Sequence, residues 1–330
     1  MENNNYAPVI IPTLNRYEHF KRCLESLEKC IGAEKTEVYV ALDYPPSEEY
    51  IEGWEKNKEY LEEKKYKHGF KKLTIYYREK NYGLYGNNSN LNVLYHDVSS
   101  LSDHYISTED DNVFSNQFLE WINWGLSYYE EESSVYAICG YMHPAIINKG
   151  IKGTFFLRHD LAAWGYGGWF KKDIPLTLDL VDELIKSDKV YRYNMSHMLT
   201  SYADLLQMKK NKVVFGDATV KSMLIDRDMF SVYPVKTFVL NKGWDGSGTH
   251  GGVRKDYLNQ KMEMNRTEET FMHVGEVDET YINNVMDKFF LSNMHWYGKL
   301  FDLLVIKLYR LTGYIFNQNI IKDPIKKLVR

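Results

Sequence analysis

The sequence predicts an α/β chain: a Rossmann-like, mainly parallel central sheet flanked by helices, with a helical C-terminal extension. Two observations carry this. Short apolar runs of strand length alternate with helical periodicity through the first half, the pattern of β-α-β units. The runs also end in acidic residues, Asp43 and Glu109-Asp110-Asp111, and strand C-termini are where such sheets meet ligands. At 330 residues, with 44% hydrophobic and 26% charged, the chain is long enough to bury a sizeable core.

Val9-Ile10-Ile11 is the first strand. Phe20, Cys23, Leu24, Leu27 and Ile31 recur at helical spacing, and Glu37 to Leu42 reads as the second strand, ending at Asp43. Pro45-Pro46 breaks the chain, a charged helix covers about 47 to 66, and Leu73 to Tyr77 makes a third strand. Leu91, Leu94, Tyr95 and Val98 mark another helix. His104 to Thr108 is a fourth strand that runs into the acidic triplet, and Phe118 to Tyr129 returns as a helix. The second half is less regular: a strand near 135 to 140, a Gly- and Trp-rich loop at 164 to 169, helices near 175 to 187 and 197 to 210, and loops beyond. No repeat or linker interrupts residues 1 to 275, which we read as one unit, with 276 to 330 as a helical, basic extension.

A net charge of -4 and a pI near 6.2 provide no general basic field, which argues against a nucleic-acid binder. Cys23, Cys30 and Cys139 have no zinc spacing, and no secretory pattern appears in Met-Glu-Asn-Asn-Asn-Tyr, so the expectation is reduced, packed thiols in a cytoplasmic protein. From about 281 the chain is aromatic and apolar but interrupted by charges, without the 18 uncharged residues that a bilayer span needs. Residues 299 to 330 carry seven Lys/Arg against two Asp. That tail is read either as a helix packed on the rest of the chain with a solvated basic face, or as a helix lying on the inner face of an anionic membrane.

Adjacent carboxylates on a turn after an apolar strand can hold a divalent cation without filling its coordination sphere. Hard oxygen ligands suit Mn²⁺ or Mg²⁺, and two phosphate oxygens can take the open positions.

Pro8-Val-Ile-Ile-Pro-Thr-Leu-Asn-Arg16, Asp43 and Glu109-Asp110-Asp111 together resemble the nucleotide-binding half of a GT-A fold glycosyltransferase (family 2-like). The triplet with Trp164-Gly-Tyr-Gly-Gly-Trp169 resembles, more narrowly, the inverting N-acetylglucosaminyltransferase I group and its bacterial relatives, and Asn241-Lys-Gly-Trp-Asp-Gly-Ser-Gly-Thr-His250 is similar to a segment late in those bacterial domains. The resemblance implies a nucleotide-binding half over 1 to 130 and an acceptor-binding half over 131 to 275. It implies an inverting transferase that uses a UDP-sugar, with UDP-N-acetylglucosamine a candidate, and a saccharide or lipid-linked saccharide acceptor in bacterial capsule or lipopolysaccharide synthesis.

Residue by residue, the resemblance places Pro12 and Arg16 beside the nucleotide, Asp43 on the uracil or ribose, and Glu109 and Asp110 on donor sugar and ribose. Asp111 becomes the metal ligand, with His250 reaching the metal or diphosphate. Gly167 and Trp169 belong to the loop that meets the donor sugar and acceptor. The catalytic base falls on Phe215-Gly-Asp217, with Asp245 as second candidate. From the residues alone, Asn81 to Asn88 opens a helix, so Asn87 or Asn88 either caps it or lies with the loop's N-H groups against the donor. Two other readings stand beside this one. A sugar nucleotidyltransferase would carry a Gly-rich basic loop where this chain has Thr13-Leu-Asn-Arg16, and a non-catalytic carbohydrate-binding protein would have no need of the triplet.

Overall fold

The computed structural model of the chain describes residues 6–84, 86, 88–248, 252–268, 270–292 and 296–315. The first half runs β1 (Val9–Thr13), α1 (Tyr17–Glu28), β2 (Glu37–Leu42), α2 (Ile51–Lys64), β3 (Lys72–Tyr77), α3 (Asn90–Ser99), β4 (His104–Ser107), β5 (Asn112–Phe114) and α4 (Phe118–Tyr128). The second continues with β6 (Val135–Cys139), β7 (Phe155–Arg158), β8 (Tyr166–Trp169), α5 (Leu178–Lys186), α6 (Asp188–Ser196), α7 (Ser201–Asn211), α8 (Gly216–Asp226), β9 (Phe230–Pro234) and β10 (Val239–Asn241). It closes with α9 (Lys255–Leu258), α10 (Glu276–Ser292) and α11 (Trp296–Thr312).

Eight strands form one sheet in the order β3-β2-β1-β4-β8-β6-β9-β7. All run parallel except β8 and β7. Both faces are covered, which is why the strands read as near-continuous apolar runs. Val9 and Ile11 of β1 and Val38, Val40 and Leu42 of β2 face one core with α1 and α4, whereas Ile10, Tyr39 and Ala41 face a second core under α3. The expected α/β architecture with a mainly parallel sheet is therefore what the chain forms.

The Gly/Trp segment corrects one expectation, because it is the strand β8 rather than a loop. Two adjacent glycines ordinarily weaken a strand, but here both neighbours press onto its backbone. A Cβ on Gly167 would lie 2.4 Å from Ile122 Cγ2 of α4, and one on Gly168 would lie 2.8 Å from the Tyr105 ring. The loops expected after residue 210 are also corrected: α8 and β9 stand there, and α8 joins α5, α6 and α7 in a third core. All three cysteines are buried and unpaired, and burial pushes the Cys30 and Cys139 thiols up to about 12, in keeping with packing.

The C-terminal helices pack on the sheet and on this third core. Glu279 of α10 accepts the Leu157 N-H of β7 at 2.7 Å, and Arg158 pairs with Asp287 at 2.7 Å. Val305 and Ile306 of α11 are fully buried among α5 to α8, and each stabilises the docking by about 1.5–3 kcal/mol. Leu300, Leu304 and Leu311 are exposed on the outward face of α11 with Lys307, and Lys322, Lys326, Lys327 and Arg330 of the expected basic extension lie outside the described residues. No helix among the described residues is long and apolar enough to cross a membrane.

If β8 is held this tightly, Gly167→Ala overpacks the sheet against α4 and lowers unfolding free energy by about 1–3 kcal/mol. Urea unfolding measures this, and an unchanged midpoint would contradict the packing of α4 on β8.

Candidate active site

The ends of β1, β2 and β4 bring Thr13, Asp43 and the acidic triplet to one edge of the sheet. Asp110 and Asp111 are buried there, 6% and 5% exposed. The chain leaves β1 and turns into α1 at Arg16, whose guanidinium reaches back to both: Nη1 lies 2.8 Å from Asp111 Oδ2, and Nη2 pairs with Asp110 Oδ1. Thr13 Oγ1 donates to the other oxygen of Asp110 at 2.8 Å. Burial is the main influence on Asp111 and raises its pKa against the opposing pull of Arg16.

A two-stranded ladder supplies the lid. β5 leaves the triplet directly and pairs antiparallel with β10, setting Asn241 opposite Asn112. Asn241 Nδ2 then donates to Asp111 Oδ1 at 2.7 Å, and the Lys242 N-H donates to the Asp111 carbonyl at 2.9 Å. The next residue, Gly243, passes so close that a Cβ would lie 2.0 Å from Asp111 Oδ2. The Gly-rich late segment therefore covers the acidic pair because β5 and β10 align it there.

Glu109 is exposed. Surrounding protein, then the charges of Asp111 and Asp110, then that of Asp217 raise its pKa, while Arg16 opposes them. Water at the exposed carboxyl weakens the first of these causes. Asp217, the smallest of these influences, is exposed in the first turn of α8. Asp245 is nearby in a different role: it accepts from the Ser247 N-H and Oγ and lies 3.0 Å from His19 Nε2. Partial burial raises its pKa, and these partners outweigh that and hold it below the usual carboxylate range.

The other expected residues divide. Pro12 is half-buried at the end of β1, in register with Ala41. Asp43 is 4% exposed, and the chain itself takes its oxygens: Tyr82 N-H and Gly83 N-H donate to them at 2.9 Å, and Tyr44 N-H at 3.0 Å. The backbone N-H groups expected to face a donor phosphate thus organise the loop around Asp43. Asn88 is exposed in the turn before α3, but the helix cap is Ser89, whose hydroxyl accepts the Asn92 N-H. Asn87 and His250 lie outside the described residues.

Gly167 and Trp169 are not brought to the acidic group. Trp169 pairs with His104 at the opening residue of β4, is fully buried, and donates Nε1-H to Glu130. The tryptophan of that segment that reaches the site is Trp164. Its ring centroid lies 6.0 Å from Trp244 of the covering loop and 5.9 Å from Tyr257, and Trp244 and Tyr257 stand 4.8 Å apart. These rings form an aromatic wall suited to sugar faces. Asn241 and Trp244 sat inside the quoted late segment, but nothing in the sequence said which carboxylate that segment would cover. His19 gave no signal beyond its helical position.

Among the described residues no group of three or more His, Cys, Asp or Glu side chains is arranged to hold a metal ion. Two adjacent carboxylates at a strand end do fit an ion that arrives with phosphate oxygens, because Mg²⁺-type sites commonly use one or two protein carboxylates and fill the rest from substrate and water. Asp111, expected as the metal ligand, and its neighbour Asp110, expected on the donor, would be the carboxylates at hand for such an ion.

No protein-family model matches the chain, and no curated protein matches it. Some solved structures are weakly similar to it. S. aureus TarS 1-349 is 14% identical with a TM-score of 0.38, over 71% of this chain and 59% of that one. A second S. aureus TarS structure is 15% identical at 0.36, over 73% and 37%. The mannosyltransferase PcManGT from Pyrobaculum calidifontis, in complex with GDP-Man and Mn²⁺, is 14% identical at 0.32, over 54% and 46%. The chain spans less than two thirds of the length of each, and likeness at this level fixes neither family nor ligand.

Gly243→Ala tests the covering loop. The added methyl meets the Asp111 carboxylate, so the expected result is a stability loss of about 1–3 kcal/mol with retained helical circular dichroism. A melting temperature equal to that of the unsubstituted protein would show that the loop does not sit on Asp111.

Proposed function

We propose that the chain is a metal-dependent glycosyltransferase of GT-A type that moves a sugar from a nucleotide-diphosphate donor to a saccharide or lipid-linked saccharide hydroxyl, with inversion. The observation that carries this reading is the buried strand-terminal pair Asp110 and Asp111, held by Arg16, Thr13 and Asn241 under a glycine loop and beside an aromatic wall. A UDP-sugar as donor, UDP-N-acetylglucosamine foremost, and capsule or lipopolysaccharide as product follow from the resemblance of the quoted segments.

In this reading Asp217 is the base. It takes the proton of the acceptor hydroxyl as that oxygen bonds to the anomeric carbon, and the bond from that carbon to the diphosphate breaks, its electron pair leaving with the phosphate. Asp245 is the lesser candidate, because Ser247 and His19 already occupy its carboxylate and depress its basicity. Trp164 and Trp244 offer the faces on which sugar rings stack. A Mn²⁺ or Mg²⁺ ion would be held by Asp111, with Asp110 beside it and His250 a further candidate ligand, and would supply charge that neutralises the leaving diphosphate.

Nucleotide release from UDP-, GDP-, CMP- and TDP-sugars, each with and without Mn²⁺, tests the reading. Release is expected from the UDP-sugar with Mn²⁺. Asp111→Asn is expected to lower it by about 10²–10³-fold, the scale of losing one preorganised electrostatic group, and Asp217→Asn by about 10²–10⁴-fold, with circular dichroism unchanged. Saccharide binding with no release from any donor sinks the transferase and favours a carbohydrate-binding protein.

We further propose a cytoplasmic protein that rests on the inner face of the cell membrane through α11. The support is its outward stripe of Leu300, Leu304 and Leu311, followed by a basic sequence. Co-sedimentation with phosphatidylglycerol vesicles is expected, weakened at least about tenfold by Leu304→Glu with Leu311→Glu, since each leucine loses its buried apolar area. No pelleting with anionic vesicles at low salt would remove the membrane from the account.

A further inference from the structure

Arg16 stands where a cation bound to the acidic pair would have to stand. Its fork spans both carboxylates, one nitrogen on Asp110 Oδ1 and the other on Asp111 Oδ2. Thr13 and Asn241 donate to the two remaining oxygens. Every carboxylate oxygen of the pair is thus engaged by the chain itself, and Arg16 is the one Lys or Arg side chain paired with them among the described residues. Gly243 closes the remaining approach to Asp111 Oδ2, and its absent side chain leaves the guanidinium its place.

We propose that Arg16 is the resting counter-ion of this centre and sets the order in which its ligands bind. In the free protein it excludes a divalent ion, and a diphosphate draws it off the carboxylates so that the ion enters together with the diphosphate. The proposal rests on the transferase reading for its diphosphate, but its logic is local. An ion added beside an engaged Arg16 would stack three positive charges against two negative ones, so the two cations compete. A diphosphate offers Arg16 an alternative partner, since a planar guanidinium pairs with phosphate oxygens as well as it does with carboxylates. The Arg16 side chain is 24% exposed, so a ligand can reach its outer edge without unfolding the site. The exchange leaves no charge without a partner: the two carboxylates trade the single charge of Arg16 for the double charge of the ion, and Arg16 trades them for phosphate.

Equilibrium dialysis against Mn²⁺, at buffered free concentration and with no sugar present, reads this directly. The unsubstituted protein is expected to take up far less than one Mn²⁺ per chain alone and about one when inorganic pyrophosphate is added. Arg16→Met is expected to bind Mn²⁺ alone with an apparent Kd lower by about tenfold or more, because the competing state is gone. Equal uptake by the unsubstituted protein with and without pyrophosphate overturns the proposal, and this comparison needs no variant to fold. A folded Arg16→Met that binds Mn²⁺ no better than the unsubstituted protein overturns it as well. Failure of sugar transfer with the Mn²⁺ exchange intact would count against the transferase reading alone.

Discussion

Two carboxylates side by side, both nearly excluded from water, are the constraint around which this end of the molecule is built. Such charges persist in a protein interior only when paired and hydrogen-bonded, and removing one partner of a buried pair typically costs about 3–5 kcal/mol. The partners come from far apart in the chain: Thr13 and Arg16 stand 97 and 94 residues before Asp110, and Asn241 stands 130 residues after Asp111. Satisfying the pair therefore requires β1, the start of α1 and β10 to converge on the end of β4. The parallel register of β1 with β4 and the short β5-β10 ladder accomplish that convergence.

The same economy of polar groups governs the neighbouring loop. Asp43 could have been a free acceptor at the end of β2, yet Tyr82 and Gly83 donate their backbone N-H groups to it. A buried carboxylate that collects backbone donors is a fixed point for a loop that has no regular structure of its own. Asp43 therefore shapes the rim of the site, and any ligand that met that rim would meet a loop already ordered by the aspartate.

The sheet was legible because it is covered on both faces. Val9-Ile-Ile and Glu37 to Leu42 read as strands from apolar runs alone, and the carboxylates that close them fell at the ligand edge as parallel topology requires. β8 was not legible, because Tyr-Gly-Gly-Trp carries a loop composition and becomes a strand only through the approach of Ile122 and Tyr105, a tertiary fact. The same blindness exchanged the two tryptophans. Trp164 lies two residues before β8 and Trp169 is its last residue, so one joins the aromatic wall and the other the core. Arg16 was placed near the nucleotide by resemblance, whereas its grip on the triplet depends on the turn between β1 and α1, which no spacing in the sequence encodes.

The second half of the chain links the base candidate to the C-terminal extension. Asp217 stands at the start of α8, and Val220, Met223 and Leu224 of that helix pack into the core that also receives Val305 and Ile306 of α11. Arg310 adds an ion pair with Asp188 and lies over the Tyr191 ring, fixing α11 to α6. The helix that presents Leu300, Leu304 and Leu311 outward is thus joined to the helix that presents Asp217 through continuous packing rather than a tether. Packed side chains transmit position because the interior has little free volume to absorb a shift. A shift of α11 would therefore be passed to α8, the helix that carries Asp217.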